Sequence, residues 1–515
     1  MNKKLDVLFI NANCSKDVYQ DLSDSYSAIE PPIWAAMLAQ HCRTKSFEVE
    51  LMDCEAVRMD DTTAIYHLKN LKPRLIVFVV YGSQPSASSQ NMEGAVRLAE
   101  KIKQTYPEIK ILFVGGHIAA LPRETLEKHP FIDFVCQNEG VYTISNLLKC
   151  DLDDDHLIMN VKGLGWRPSD YYEPIDETDF SSSTIVLNEP SPIVAKEDFS
   201  RDLPGMAWDL LPMKHYRTSL WHSLPNNAER EPFASLYTSL GCPFRCHFCM
   251  INIINRTTGT YSNESNIFRY WEPEFIIQQF DQIASLGIKN VKIADELFVL
   301  NANHFMRICE MIIAKGYQFN IWAYSRVDTV KEKYLETLKK AGVNWLALGI
   351  ESANKKIRTE VIKGQYEDVD IRDIVKKIRD HGINVIANYI FGLPEDNYET
   401  MQETLDLALE MNTEEANFYS AMAYPGSPLY GQAVKEGLKL PDRYVGYSQH
   451  SYYTQNLPTK YLTAAQVLKF RDDAWMQYHT SEKYLKLVLD KFGQKAYNDT
   501  IQSTKIKLKR QLLEV

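Results

Sequence analysis

The sequence predicts an α/β protein. Residues 1–150 read as a doubly wound parallel sheet, 151–232 as an irregular connector, 233–430 as an open, partial (βα)6 barrel, and 431–515 as a mostly helical cap. Three observations predict this. Fully apolar strand candidates alternate with helical segments over the first 150 residues, the pattern of a parallel sheet covered on both faces. The alternation resumes at 233 for six βα units, too few to close an eight-unit barrel. The stretch between them is rich in Pro, Asp and Ser, which breaks regular structure.

In the first half the strand candidates are "DVLFINA", "EVELMD", "LIVFVVYG", "IKILFVGG" and "DFVCQNE". The helical segments between them, such as 33–43 and 86–105, carry apolar residues at three- and four-residue spacing. The connector includes "GLGW" and "TIVL", which read as a small strand pair. From 233 the strand candidates are "ASLYTSLG", "NVKIADE", "FNIWAYSRVD", "WLALGIES", "NVIANYIFGLP" and "EANFYSAMAYPG". Helices are expected at 273–286, 302–314, 331–341, 371–381 and 398–411. Beyond 440 the chain is polar, aromatic and helical in pattern, and its tail, "KIKLKRQLLEV", reads as an amphipathic surface helix.

Composition narrows the function classes. With 515 residues, 45% hydrophobic and 24% charged, the chain is globular in type. Its net charge of −10 favours no nucleic-acid partner. The longest apolar run, "LIVFVV" at 75–80, is far short of a membrane span, and "MNKKLDVLFI" reads as a first strand and not a signal peptide. Six of the nine cysteines, Cys14, Cys42, Cys54, Cys136, Cys150 and Cys309, are scattered singly among apolar neighbours, the pattern of reduced thiols in a cytoplasmic protein.

The other three, Cys242, Cys246 and Cys249, form "GCPFRCHFC" directly after the first strand of the barrel. The carboxyl end of a barrel strand is where its chemistry is done. A structural zinc site closes with four ligands, whereas three thiolates can hold three irons of a cubane and leave the fourth iron open to a small molecule. His247 lies inside the motif, where an exposed side chain is expected, and no other cysteine pair follows. In the first half, the strand ends carry "YGSQPS" (81–86), "GGHIAALP" (115–122) and "NEGVYT" (138–143). Small residues there let a large ligand approach the backbone.

"GCPFRCHFC" after a strand, followed by six βα units, resembles the radical S-adenosylmethionine superfamily. The preceding Rossmann-like domain resembles the cobalamin-binding domain of its cobalamin-dependent subgroup. The resemblance spans roughly residues 1–430. It implies that Cys242, Cys246 and Cys249 ligate a 4Fe–4S cluster, and that S-adenosylmethionine chelates the open iron and is cleaved to a 5′-deoxyadenosyl radical. Phe248 matches the residue that packs near the adenine. Asp295 and Glu296 stand where the family often has a carboxylate for the methionine ammonium. Arg326 is expected to pair with the methionine carboxylate, and Glu351 and Ser352 with the ribose hydroxyls. "FGLPED" and "YPGSPLY" follow the fifth and sixth strands and match the adenine-facing stretch and a recurrent stretch of the subgroup.

For cobalamin, the resemblance points to Ser83, Gln84, Gly115 and Gly116 as residues that hold the corrin and its tail. His117, Glu139 and Gly140 join them. Where many cobalamin proteins have Asp-x-His-x-x-Gly, this chain reads "NANCSKDVYQ", which implies base-off cobalamin without a histidine ligand. The expected activity is methyl transfer from methylcobalamin to an unactivated carbon of a small-molecule or peptide substrate, with a low-potential electron donor. A non-methylating cyclase or rearrangement enzyme shares these cofactors, and a non-catalytic zinc module is the alternative of another class. A methylthiotransferase would want a second cysteine triad ahead of the barrel, which the sequence lacks.

Overall fold

In a computed structural model of the chain, residues 5–82, 84–168, 185–224, 229–254, 268–362 and 369–514 are described. The first sheet contains β1 (Val7–Asn11), β2 (Val49–Asp53), β3 (Leu75–Val79), β4 (Lys110–Val114), β5 (Phe134–Cys136), β6 (Leu164–Trp166) and β7 (Val186–Leu187). Their order is β2-β1-β3-β4-β5-β6-β7, parallel through β5 and antiparallel beyond it. Successive residues of a strand point to opposite faces. Val7, Phe9, Val77 and Val79 accordingly pack with the helix Ile33–Thr44, and Leu8, Ile10, Ile76 and Phe78 with the helix Ala87–Thr105. Both faces are covered, which is why these strands lack a polar side.

The connector residues do more than link the halves, because "GLGW" and the end of "TIVL" supply β6 and β7 to the first sheet. Other described residues of the connector pack between the two sheets. His41 Nδ1 hydrogen-bonds to the Asp202 carbonyl at 2.6 Å, and Lys45 and Tyr142 reach the Asp202 carboxylate at 3.0 and 2.8 Å. On the other side, Trp271 donates to the Leu203 carbonyl at 2.8 Å and Trp208 to Gln279 at 3.1 Å. The buried apolar side chains of this segment join one core that runs from the Ile33–Thr44 helix into the second sheet.

That second sheet is six-stranded and wholly parallel. It follows β8 (Phe233–Leu236), the short antiparallel pair β9 (Ser239–Leu240) and β10 (Arg269–Tyr270), then β11 (Asn290–Ile293) and β12 (Asn320–Arg326). β13 (Val343–Glu351), β14 (Asn384–Phe391) and β15 (Glu415–Ser420) complete the order β15-β14-β13-β12-β11-β8, an open barrel. The helices Ala464–His479 and Glu482–Ser503 form the cap, the first opened by a Thr463–Gln466 capping box. Gly493 breaks the second with φ 84° and ψ −178°, a conformation that needs glycine.

The tail corrects the sequence expectation. No surface helix forms over residues 505–514; the segment is extended apart from a short turn at Gln511–Leu513. Arg510, 3% exposed, donates to both Asp472 oxygens at 2.9 Å and to the carbonyls of Gln449 and Ser451 at 2.9 and 3.0 Å. These charge-assisted bonds satisfy loop carbonyls and outweigh the helical pattern of the tail. Among the described residues, no helix is long and apolar enough to cross a membrane.

Candidate active site

The cysteine loop is held at the top of the barrel by its neighbours' carboxylates. Asp295, fully buried, accepts hydrogen bonds from the Thr238 amide, the Thr238 hydroxyl and the Ser239 hydroxyl at 2.5–2.6 Å, fixing the turn between β8 and β9. Glu296 accepts from the Gly241 amide at 3.1 Å, one residue before Cys242. Further along, the His247 amide donates to the Val361 carbonyl and the Leu429 amide to the His247 carbonyl, both at 3.0 Å. His247 is half-buried by these contacts, not exposed as expected.

Cys242, Cys246 and Cys249 are half-buried and line one cleft of about 1360 Å³, its open mouth included. Burial pushes the Cys242 thiol up to about 12 and that of Cys249 to about 11, and it raises Cys246 as well. A cation that displaces these protons supplies the compensating charge. Among the described residues, no three Cys, His, Asp or Glu side chains converge closely enough to hold a single metal ion. Three thiols on one cleft are one ligand short of a tetrahedral zinc site and match the donor set of a cubane with one iron left open.

The rest of the cleft is built by alternation along the strands. Tyr324 and Arg326 of β12, Gly349 and Glu351 of β13, and Asn388 and Ile390 of β14 face it in pairs two residues apart. Arg326 is 7% exposed, forks onto Asp328 through Nε at 2.9 Å, and stacks on Phe244 with its guanidinium carbon 3.6 Å from the ring centre. Glu351 has φ 65° and sits at a register shift against β14, so its side chain is turned into the cleft. Burial pushes Glu351 up to about 7, opposed by Arg326, and Glu296 up to about 8. Phe248 lines the same cleft.

Two neighbours expected to bind there do not. Asp295 is turned away, its oxygens occupied by Thr238 and Ser239. Ser352 is 1% exposed and faces Thr404 at 3.3 Å, capping the Asn354 amide at 3.2 Å instead of lining the cleft. In both pairs the second position differs in backbone turn from the first, after the end of β11 and at the β13 register shift, and Glu296 and Glu351 take the inward positions.

The first sheet reverses direction between β1 and β3, and a crevice of about 750 Å³ opens there, as topology requires of such sheets. Asn11, Trp34, Glu55, Tyr81, Gly82 and Asn91 line it. Trp34 stacks on Tyr81 with ring centres 4.7 Å apart, and the buried Tyr81 hydroxyl has no partner among the described residues. Most strand-end residues expected to meet a ligand lie elsewhere. A Cβ on Gly115 would stand 2.0 Å from the Val80 carbonyl oxygen, and one on Gly116 would stand 2.9 Å from Met250, so both glycines serve packing. His117 is 4% exposed, bonded to Ser89 at 3.1 Å, packed against Tyr444, and held down to about 3 by burial.

Glu139 is 1% exposed and is consumed by structure: it pairs with Arg269 at 2.8 Å and accepts from the Val194 amide at 2.6 Å. Gly140, at φ 81°, starts a helix where a Cβ would stand 2.7 Å from Val114. Gln84 alone of this group reaches a cavity, and Ser83 lies outside the described residues. Each correction reflects a partner distant in sequence that the local pattern could not show.

Between the crevice and the cleft lies a chamber of about 1640 Å³, bounded by both sheets and the cap. It shares Tyr19, Glu30 and Gln90 with the crevice, and Gln84, Tyr324, Asn388 and Tyr419 with the cleft. Sequence reasoning missed most of its lining. Inward Arg326 and Glu351 already implied their i−2 and i−4 neighbours, so strand periodicity from the named positions would have found Trp322, Tyr324 and Ala347.

Comparisons with known proteins agree with this geometry. Residues 236–408 match the Radical SAM superfamily model and residues 20–148 the B12 binding domain model, together more than half of the chain. An uncharacterized methyltransferase of Pyrococcus horikoshii, PH0819, is 25% identical over 462 residues, covering 88% of this chain and 89% of that protein. The anaerobic magnesium-protoporphyrin IX monomethyl ester cyclase of Cereibacter sphaeroides is 22% identical, covering 85% of this chain and 65% of its own length. The fold is shared with the radical S-adenosylmethionine methyltransferase TsrM from Kitasatospora setae, solved with cobalamin and a [4Fe-4S] cluster bound. That likeness has a TM-score of 0.65 at 13% identity, over 98% of this chain and 99% of that one. With a B12 binding domain joined to a radical SAM barrel, the chain belongs to the cobalamin-dependent radical SAM enzymes.

Proposed function

We propose that this protein is a methyltransferase of that family, acting on an unactivated carbon of a small-molecule or peptide substrate and fed by a low-potential electron donor. One observation supports it most: the cysteine cleft and the β1–β3 crevice each share wall residues with one chamber, so ligands of both would lie beside one substrate. In this reading residues 1–150 carry cobalamin, 233–430 the cluster and S-adenosylmethionine, and 431–515 close the chamber. When bound, the cluster with S-adenosylmethionine supplies a carbon-centred radical and cobalamin supplies the methyl group.

Cys242, Cys246 and Cys249 would hold the cluster. Glu296 and Glu351, the inward carboxylates, would receive the methionine ammonium and ribose hydroxyls, with Arg326 across the cleft and Phe248 against the adenine. Cobalamin would be held at the crevice, where the partnerless Tyr81 hydroxyl is available, and at Gln84 and Gln90 on the seam. It would be base-off and without a histidine ligand, since "NANCSKDVYQ" supplies no histidine. Walls that exclude water once substrate is bound would protect a radical from quenching.

The test uses anaerobically reconstituted protein, reductant and methyl-deuterated S-adenosylmethionine. The parent is expected to release 5′-deoxyadenosine and to transfer label to product, and Cys246→Ala to fall to background in both. Equal cleavage by Cys246→Ala removes the reading. Cleavage with an unlabelled product of altered mass selects the cyclase-type outcome that the Cereibacter relative makes a specific second reading.

A further inference from the structure

The chamber's walls identify a class of substrate, an inference that rests on the proposed function. Its aromatic surface comes from four separate parts of the chain. Trp322 of β12 meets Trp221 of the connector with ring centres 5.3 Å apart and meets Tyr324 at 4.9 Å. Trp475 of the cap stacks on His479 at 4.4 Å, and Tyr484 closes edge-on at 5.2 Å. Tyr19 of the first half faces His450 at 5.5 Å. Flat faces on three sides suit a flat ligand.

The charges in these walls cancel in pairs. Lys292, 1% exposed, holds Glu30 of the other sheet's loop at 2.8 Å and lies 4.8 Å above the Trp322 ring. His479 places Nε2 3.1 Å from the Glu415 carboxylate and Nδ1 2.9 Å from the Trp475 carbonyl. With both nitrogens against acceptors, His479 ties the Glu415 carboxylate into the wall, so that carboxylate already has its hydrogen-bond partner. His450 is kept neutral, held down to about 3 by burial. Among the described residues lining the chamber, no Asp, Glu, Lys, Arg or His remains to compensate an incoming ion. A phosphate, phosphonate or carboxylate seated there would be a buried, uncompensated charge, which is strongly unfavourable.

The polar groups that do face the chamber are neutral. Asn417 donates to Asn388 at 3.0 Å, and Gln449 stands on the seam. A purely hydrocarbon substrate would strip water from these amides and return no hydrogen bond. From these walls we infer that the chamber binds an uncharged heteroaromatic molecule with hydrogen-bonding groups on its edge, stacked against Trp322 and Trp475 and met by the Asn388–Asn417 pair.

Three probes separate charge from flatness: indole-3-acetamide, its anionic counterpart indole-3-acetate, and the saturated cyclohexylacetamide. Binding to the anaerobically reconstituted holoprotein is measured by calorimetry. The amide is expected to bind at least about tenfold tighter than either of the others. In Glu415→Gln the carboxylate that opposes an incoming anion is gone, and the preference is expected to swing about tenfold toward the acetate. In His479→Gln the Glu415 carboxylate loses its imidazole partner, and cationic tryptamine should gain by a similar factor. Equal binding of amide and acetate by the parent overturns the inference, as does no binding of any probe, or an unchanged preference in whichever variant folds. S-Adenosylmethionine cleavage is followed in the same preparation without probe. Cleavage without the amide preference sinks this inference alone; the preference without cleavage sinks the proposed function alone.

Discussion

Glu139 and Arg269 lie 130 residues apart and meet inside the protein, 1% and 3% exposed, at 2.8 Å. Arg269 also donates to the Val194 carbonyl at 2.6 Å, so the pair ties the first sheet, the connector and β10 together. Removing one charge strands the other in a low-dielectric interior. Glu139→Gln is therefore expected to cost about 3–5 kcal/mol in denaturant unfolding, while the apolar double variant Glu139→Met/Arg269→Leu loses much less. A Glu139→Gln protein as stable as the parent would return this residue to the ligand-binding role its strand-end position implied. The same distinction separates Asp295, spent on the β8–β9 turn, from Glu296 beside it, which faces the cleft.

At the scale of elements, the C-terminal tail shows what a single side chain can fix. Residues 505–514 have no regular structure, yet Arg510 binds Asp472 of the cap helix and the carbonyls of Gln449 and Ser451, and the Gln511 amide donates to Tyr452 at 2.9 Å. Arg510→Ala would leave the Gln449 carbonyl without its donor and Asp472 to Arg471 alone, a loss of about 2 kcal/mol. Its melting temperature is expected to drop and the tail to become sensitive to limited proteolysis. An unshifted melting curve would show that the tail merely rests on the surface. Gln449 of this loop also lines the chamber, so loosening of the tail is expected to reach the site.

For the molecule as a whole, acid is the expected weakness. His222 of the connector is fully buried against the barrel, with Nε2 donating to the Asn320 carbonyl at 2.9 Å and Nδ1 accepting from Thr218. Burial holds it down from 6.5 to about 3. The unfolded chain therefore takes a proton near pH 6.5 that the folded protein refuses until about pH 3. Stability is complete above pH 6.5 and falls as pH drops through that window, by about 2 kcal/mol at pH 5. Comparing parent with His222→Gln cancels every other titrating group. The variant should lose less stability between pH 7 and 5, read from denaturant midpoints at each pH. Parallel losses in the two proteins would mean that His222 is protonated when folded.

What the sequence determined by itself is what local spacing encodes: the cysteine trio, the apolar strands, the amphipathic helices and hence both parallel sheets. These depend on neighbours within a few residues. The tertiary structure alone decided which of two adjacent side chains faces the site, Glu296 and not Asp295, Glu351 and not Ser352, because rotation of a strand end is set by packing and by one register shift. It also decided that Glu139 and His117 are buried among partners and that the chamber draws its walls from the connector, the barrel and the cap. A cavity is bounded by surfaces brought together from far along the chain, and no local pattern records where they meet.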